Sequence, residues 1–96
     1  MQLYMIRRQS AWANQGELEK AAALSSKVGN DEMADKLRWI RSYVIDEPDG
    51  RLGTCCIYEA IDGEAIKEHA RRVGMPGDDF IPIAATVVVR PDPVGP

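Results

Sequence analysis

The sequence predicts a single α+β domain in the order β-α-β-β-α-β. Three observations carry that expectation. Two segments place apolar residues at helical spacing, and they alternate with four segments rich in β-branched or aromatic residues. A Glu47-Pro48-Asp49-Gly50 stretch separates the middle two of these, as in a hairpin. The 96 residues are enough for one core and too few for two.

Residues 3–8 mix apolar and β-favouring side chains and read as strand one. Asn14 followed by Glu17 has the form of a capping box. From there Leu18, Ala21, Ala22, Leu24, Ser25 and Val28 recur at about 100° per residue, the signature of a helix with one apolar face. Gly29-Asn30 closes that helix, and 31–36 is polar with room for one turn. Residues 37–46 form the strongest strand, with Trp39, Ile40, Tyr43, Val44 and Ile45. In the turn that follows, Pro48 fixes φ and Gly50 supplies a positive φ, so 52–60 returns antiparallel as strand three. Asp62 caps a second helix running to Val73, with Ala65, Ile66, His69, Ala70 and Val73 on its apolar arc. Gly74-Met75-Pro76-Gly77 breaks it. Residues 83–90 read as a fourth, almost purely apolar strand. The expected division is therefore a domain over 1–90 and a Pro-rich tail over 91–96.

This order is that of the ferredoxin-like split βαβ fold, a four-stranded antiparallel sheet with two helices on one face. The other face then needs a cover. Thr86-Val87-Val88-Val89 alternates no polar side, which implies burial on both faces. Two helices cannot supply that, so the expectation is a homodimer packing sheet against sheet about a two-fold axis, a dimeric α/β barrel.

Composition narrows the partners. Hydrophobic residues make up 45% and charged residues 28%, and the net charge is −3. An acidic balance lacks the basic face that nucleic acid requires and offers nothing to an anionic membrane. The start of the chain has no signal-peptide layout, and no apolar run spans a bilayer. The two cysteines, Cys55 and Cys56, are adjacent and point to opposite faces of a strand, where a mutual disulfide would be strained. A reducing cytoplasm is the expected location.

Few residues are candidates for chemistry. His69 is the lone histidine and lies inside an apolar arc, so it should face the sheet. It is either a buried, hydrogen-bonded histidine or an acid/base and ligand-binding group. Alternation on strand three groups Cys55, Ile57 and Glu59 on one face, which reads as the core face. Glu59 then either contacts His69 across the strand-to-helix connection or sits at the strand's wet end. On strand two, Trp39, Arg41 and Tyr43 are expected to share a face, while Arg7 and Arg8 close strand one on opposite faces. Arginine among aromatics suits a carboxylate or planar ligand, and equally an ion pair across the dimer. Cys55-Cys56 reads as small buried residues or, less simply, as a redox or metal pair.

Trp39-Ile40-Arg41-Ser42-Tyr43-Val44, Cys56-Ile57-Tyr58-Glu59-Ala60 and Glu64-Ala65-Ile66-Lys67-Glu68-His69 together resemble the small nickel-binding-protein-like family. The likeness runs from Leu3-Tyr4-Met5 to Val87-Val88. It implies a ferredoxin-like fold, a homodimer and a nickel-type metal site, with His69 and Glu59 as the residues that carry over. Family members often place an aspartate-x-histidine at the end of strand one and a second histidine before the glycine that ends helix two. Here those positions read Ile6-Arg7-Arg8 and Val73.

Three functions are compatible with these residues. The first is a binding protein holding a small-molecule ligand or a divalent metal between sheet and helices, with His69 and Glu59 as polar contacts and Tyr43, Tyr58 and Trp39 as walls. The second is a cofactor-free enzyme of the dimeric α/β-barrel type, resembling monooxygenases, decarboxylases or cyclases. In it His69 would be the acid/base, Arg41 or Arg7 the anion holder, and 74–82 a lid. The third is an interaction protein acting through its interface or its Pro-rich tail.

Overall fold

The structure, a computed structural model, describes residues 1–93. Its elements are β1 (Gln2–Trp12), α1 (Gln15–Asp31), β2 (Leu37–Asp46), β3 (Leu52–Ala60), α2 (Gly63–Val73) and β4 (Phe80–Pro82). The sheet runs β2-β3-β1-β4 with every neighbouring pair antiparallel. Both helices pack on one face, as the ferredoxin-like reading requires.

Local chemistry explains the helix ends. The Asn14 side chain accepts a hydrogen bond from the Glu17 backbone N–H at 3.0 Å, and the Glu17 carboxylate accepts from Ala13 N–H at 2.8 Å. The reciprocal cap thus closes one residue earlier than in a strict box. Asp62 accepts from Ala65 N–H at 2.9 Å, and Gly74 ends α2 in the left-handed region at φ 81.

The core lies between sheet and helices. Ile6, Val28, Met33, Leu37, Cys56, Tyr58, Ala60, Ala65 and Ile66 form one buried cluster. Met33, within the polar stretch after α1, is its most enclosed large apolar residue, at 0% exposure. The chain turns back at Lys36 and Leu37, whose backbone N–H groups donate to Met33 O and so fix that plug.

Two expectations about strands need correction. β1 does not stop at Arg8 but continues to Trp12 through an irregularity in which Ser10 adopts φ 51. The Glu47 carboxylate holds this bend by accepting from Ser10 N–H at 2.8 Å.

The fourth strand is also misplaced. It is only Phe80–Pro82, and residues 84–90 form no strand. Register supplies the reason. Tyr4 pairs with Pro82, and Ile83 N–H still donates to Leu3 O at 2.8 Å. Continuing that register sets Ala84 opposite Gln2, where β1 begins, so Thr86 onward lies beyond the end of that strand. Val87, Val88 and Val89 are accordingly 88%, 72% and 83% exposed instead of buried on both faces. Of the Pro-rich tail, residues 91–93 run without regular structure, and 94–96 lie outside the described residues.

Candidate functional site

The helix-facing side of the sheet carries Ile6 and Arg8 from β1, Trp39, Ser42 and Val44 from β2, and Thr54, Cys56 and Tyr58 from β3. Toward the C-terminal end of α1, Val28 and Met33 fill the space above these residues. Toward its N-terminal end the helix presents Ala21 and Ala22, which are too small to do so. A cavity of about 290 Å³ remains, with Leu18, Ser25 and Met75 closing it from the helix side. Its walls are mostly apolar. Trp12 and Trp39, the only two tryptophans in the chain, both line it. Trp39 stacks on Tyr58 with ring centres 6.1 Å apart and planes 8° from parallel. Trp39 is oriented by its indole N–H, which donates to Ser42 Oγ at 2.7 Å.

The polar groups beneath form one connected chain. The Tyr58 hydroxyl and Ser25 Oγ are hydrogen-bonded at 3.0 Å. His69 Nε2–H donates to the Ser25 backbone carbonyl at 3.0 Å. The His69 ring is 2% exposed and tilts against Tyr58 at 5.5 Å between centres. Burial pushes its pKa down, and the nearby charges of Arg8 and Arg72 push the same way. Burial also raises the Tyr58 phenol. Both groups are therefore neutral near pH 7.

Arg8 is the outlying member. It is 1% exposed and lines the cavity. Its Nε donates to Pro76 O, and its Nη1 donates to Cys56 Sγ at 3.3 Å. Its guanidinium carbon is 6.0 Å from the centre of the Tyr58 ring. Nη2 has no partner, and no carboxylate pairs with Arg8 among the described residues.

The candidates from the sequence fall on two sides of the sheet. Tyr58 and Trp39 line the cavity, and His69 lies behind it, joined through Ser25. Alternation along β3 holds, but the core face is Thr54, Cys56, Tyr58 and Ala60, so Glu59 projects to the opposite side. There it pairs with Arg38 at 2.9 Å and not with His69. Arg41 and Tyr43 part from Trp39 because a bulge shifts the β2–β3 register between Trp39 and Arg41. On the open side they meet Asp92, at 3.4 Å from Arg41 and 2.8 Å from the Tyr43 hydroxyl.

Arg7 also belongs to the open side. It makes a two-pronged contact to Glu47 with both distances 2.9 Å, and its Nη1 donates to the Thr54 and Arg8 carbonyls. Arg8 was the residue to find. The signal was its position two residues after Ile6 on strand one, which puts an arginine on the core face. Cys55 and Cys56 are free thiols, and burial raises that of Cys55, the opposite of activation. Among the described residues no three His, Cys, Asp or Glu side chains gather into a metal-binding group.

Comparison with known proteins agrees with this architecture. Residues 4–83 match the sequence profile of the family described as "Nickel responsive protein SCO4226-like". The crystal structure of SCO4226 from Streptomyces coelicolor A3(2) superposes with a TM-score of 0.71 over 88% of this chain and 99% of that one, at 16% identity. No curated protein matches the chain.

Proposed function

The chain belongs to the SCO4226-like family, and on that premise we propose that it is a small binding protein that holds an organic ligand between α1 and the sheet. The observation that carries this reading is the cavity of about 290 Å³, walled by both tryptophans and by Tyr58. It has the features of a small-molecule site: concave, largely apolar, with a few fixed polar groups. The two tryptophans make it directly observable. Titration with the neutral dye N-phenyl-1-naphthylamine should quench tryptophan emission saturably, and Ala22→Phe, which fills the space, should abolish the response. A response that never saturates, or one unchanged in Ala22→Phe, would sink the reading.

The homodimer expected of this fold belongs to the same proposal. The side of the sheet away from the helices forms, with residues 83–92, a groove of about 720 Å³ lined by Leu3, Ile40, Tyr43 and Ile57. The exposed Thr86-Val87-Val88-Val89 run beside it has no strand partner among the described residues. A second copy supplies both a partner for that run and a cover for the groove. Light scattering on the purified protein should give twice the chain mass, and removal of residues 86–96 should return it to one. The free thiols suit a reducing cytoplasm.

Nickel has less support here. The family is named for it, but among the described residues His69 belongs to no group of three or more His, Cys, Asp or Glu side chains, and its Nε2 is already used on Ser25. The charges that act on its ring are those of Arg8 and Arg72, both cationic, and they repel a metal ion. These residues do not fit a nickel ion within one subunit, and calorimetry with nickel should give the same heat for the native chain and for His69→Ala. An acid/base role for His69 is not favoured either, because the ring does not line the cavity.

A further inference from the structure

We propose that Arg8 gives the cavity a specific preference for a small carboxylate attached to a planar, apolar body. This deepens the binding reading above and rests on it. A buried guanidinium is costly unless its charge and its N–H groups are matched. Arg8 is 1% exposed, yet its described partners are a carbonyl and a sulfur, both uncharged. Nη2 is left with nothing. Its sequence neighbour Arg7 shows what matching looks like here, with both oxygens of Glu47 engaged. The missing complement to Arg8 is an anion; Nη2 is itself closed off, so a carboxylate in the cavity that Arg8 lines would engage it through a small shift of the guanidinium toward that space.

The other walls define the rest of the ligand. Trp39 and Tyr58 lie nearly parallel, and Trp12, Leu18 and Val44 add apolar surface, so a flat hydrocarbon body is favoured over a sugar or a phosphate ester. The one carboxylate on the wall, that of Glu19, belongs to an exposed residue and accepts from Gln15 at 3.4 Å. It therefore does not neutralise Arg8. A carboxylate is chosen over a metal or a cation because the wall holds one buried cation, Arg8, and no buried carboxylate.

The test compares trans-cinnamate with its neutral isostere cinnamamide, by calorimetry and by tryptophan quenching on the full chain at pH 7. Cinnamate should bind roughly tenfold or more tighter, the worth of one charge-assisted hydrogen bond. In Arg8→Met the two should bind alike, at the amide's affinity, whereas Arg8→Lys should keep part of the preference. Equal affinities in the native protein would overturn the proposal, and this comparison decides even if Arg8→Met fails to fold. Saturable binding of the neutral dye alongside equal affinities removes the carboxylate preference only. Failure of the dye, the acid and the amide to bind removes the pocket reading itself.

Discussion

Arg7 and Arg8 are adjacent in the chain and occupy opposite worlds. Arg7 lies on the open side, where both Glu47 oxygens accept from its Nη2 and the Arg8 and Thr54 carbonyls accept from its Nη1. Glu47 in turn reaches Ser10 N–H, so this pair ties the β2–β3 hairpin to the bend in β1. Arg8 lies on the dry side against Tyr58, with no counter-charge among the described residues. One arginine is therefore architecture, and its satisfaction can be read in the resting molecule. The other is paired incompletely, and the proposed carboxylate preference rests on that. The two sides of the sheet follow the same division. Ion pairs Arg38–Glu59 and Arg41–Asp92 decorate the open side, while the helix side has a neutral polar chain and one unmatched cation.

The sharpest break of this contrast is Glu47→Ala. It strands Arg7 and orphans Ser10 N–H, and should destabilise the fold by about 3 kcal/mol, the low end for removing one partner of a buried pair because Arg7 is 26% exposed. Urea denaturation reads it directly. Gly53→Ala tests the same corner from its backbone. A Cβ there would lie 2.6 Å from the Arg8 carbonyl oxygen and would also crowd the Glu47 carboxylate, for a loss of about 1–3 kcal/mol by the same measurement.

Arg8→Met should go the other way. Removing an unmatched buried charge leaves stability unchanged or raises it by about 1 kcal/mol, while carboxylate preference is lost. A large destabilisation instead would place Arg8 with Arg7 among the structural residues and erase the distinction. The pH response sharpens the dry side further. His69 has a folded pKa below its ordinary 6.5, so the unfolded chain binds this proton more readily. Its contribution is complete above pH 6.5 and is lost progressively as pH falls below that value. Denaturation midpoints from pH 7 to pH 5 should therefore decline, and His69→Gln should flatten the decline. The smallest effect is on the open side. Asp92→Ala removes an exposed contact to Arg41 and Tyr43 and should leave the denaturation midpoint unchanged.

Much of the fold was legible because its signals are local. The bounds of β2 and β3 follow from β-branched and aromatic runs around a Pro-Asp-Gly turn. The caps at Asn14, Asp62 and Gly74 follow from side chains that satisfy helix-end N–H groups or tolerate a positive φ. The site was legible only in part. Trp39, Tyr58 and His69 do gather near the cavity, but Arg41, Tyr43 and Glu59 were grouped with them by assuming unbroken alternation and the wrong core face. The bulge between Trp39 and Arg41 moved half of β2 to the other side, and nothing in the residue types announces it.

Periodicity, capping residues and turn chemistry determined the order of elements and the position of most of their ends, because each depends on neighbours within a few residues. The tertiary structure alone decided which face of β3 is dry, where β1 runs out beneath the valine run, and which of two consecutive arginines finds a carboxylate. Those outcomes depend on register and on partners tens of residues away. A one-residue shift in a strand exchanges its faces, and the sequence carries no local mark of that shift.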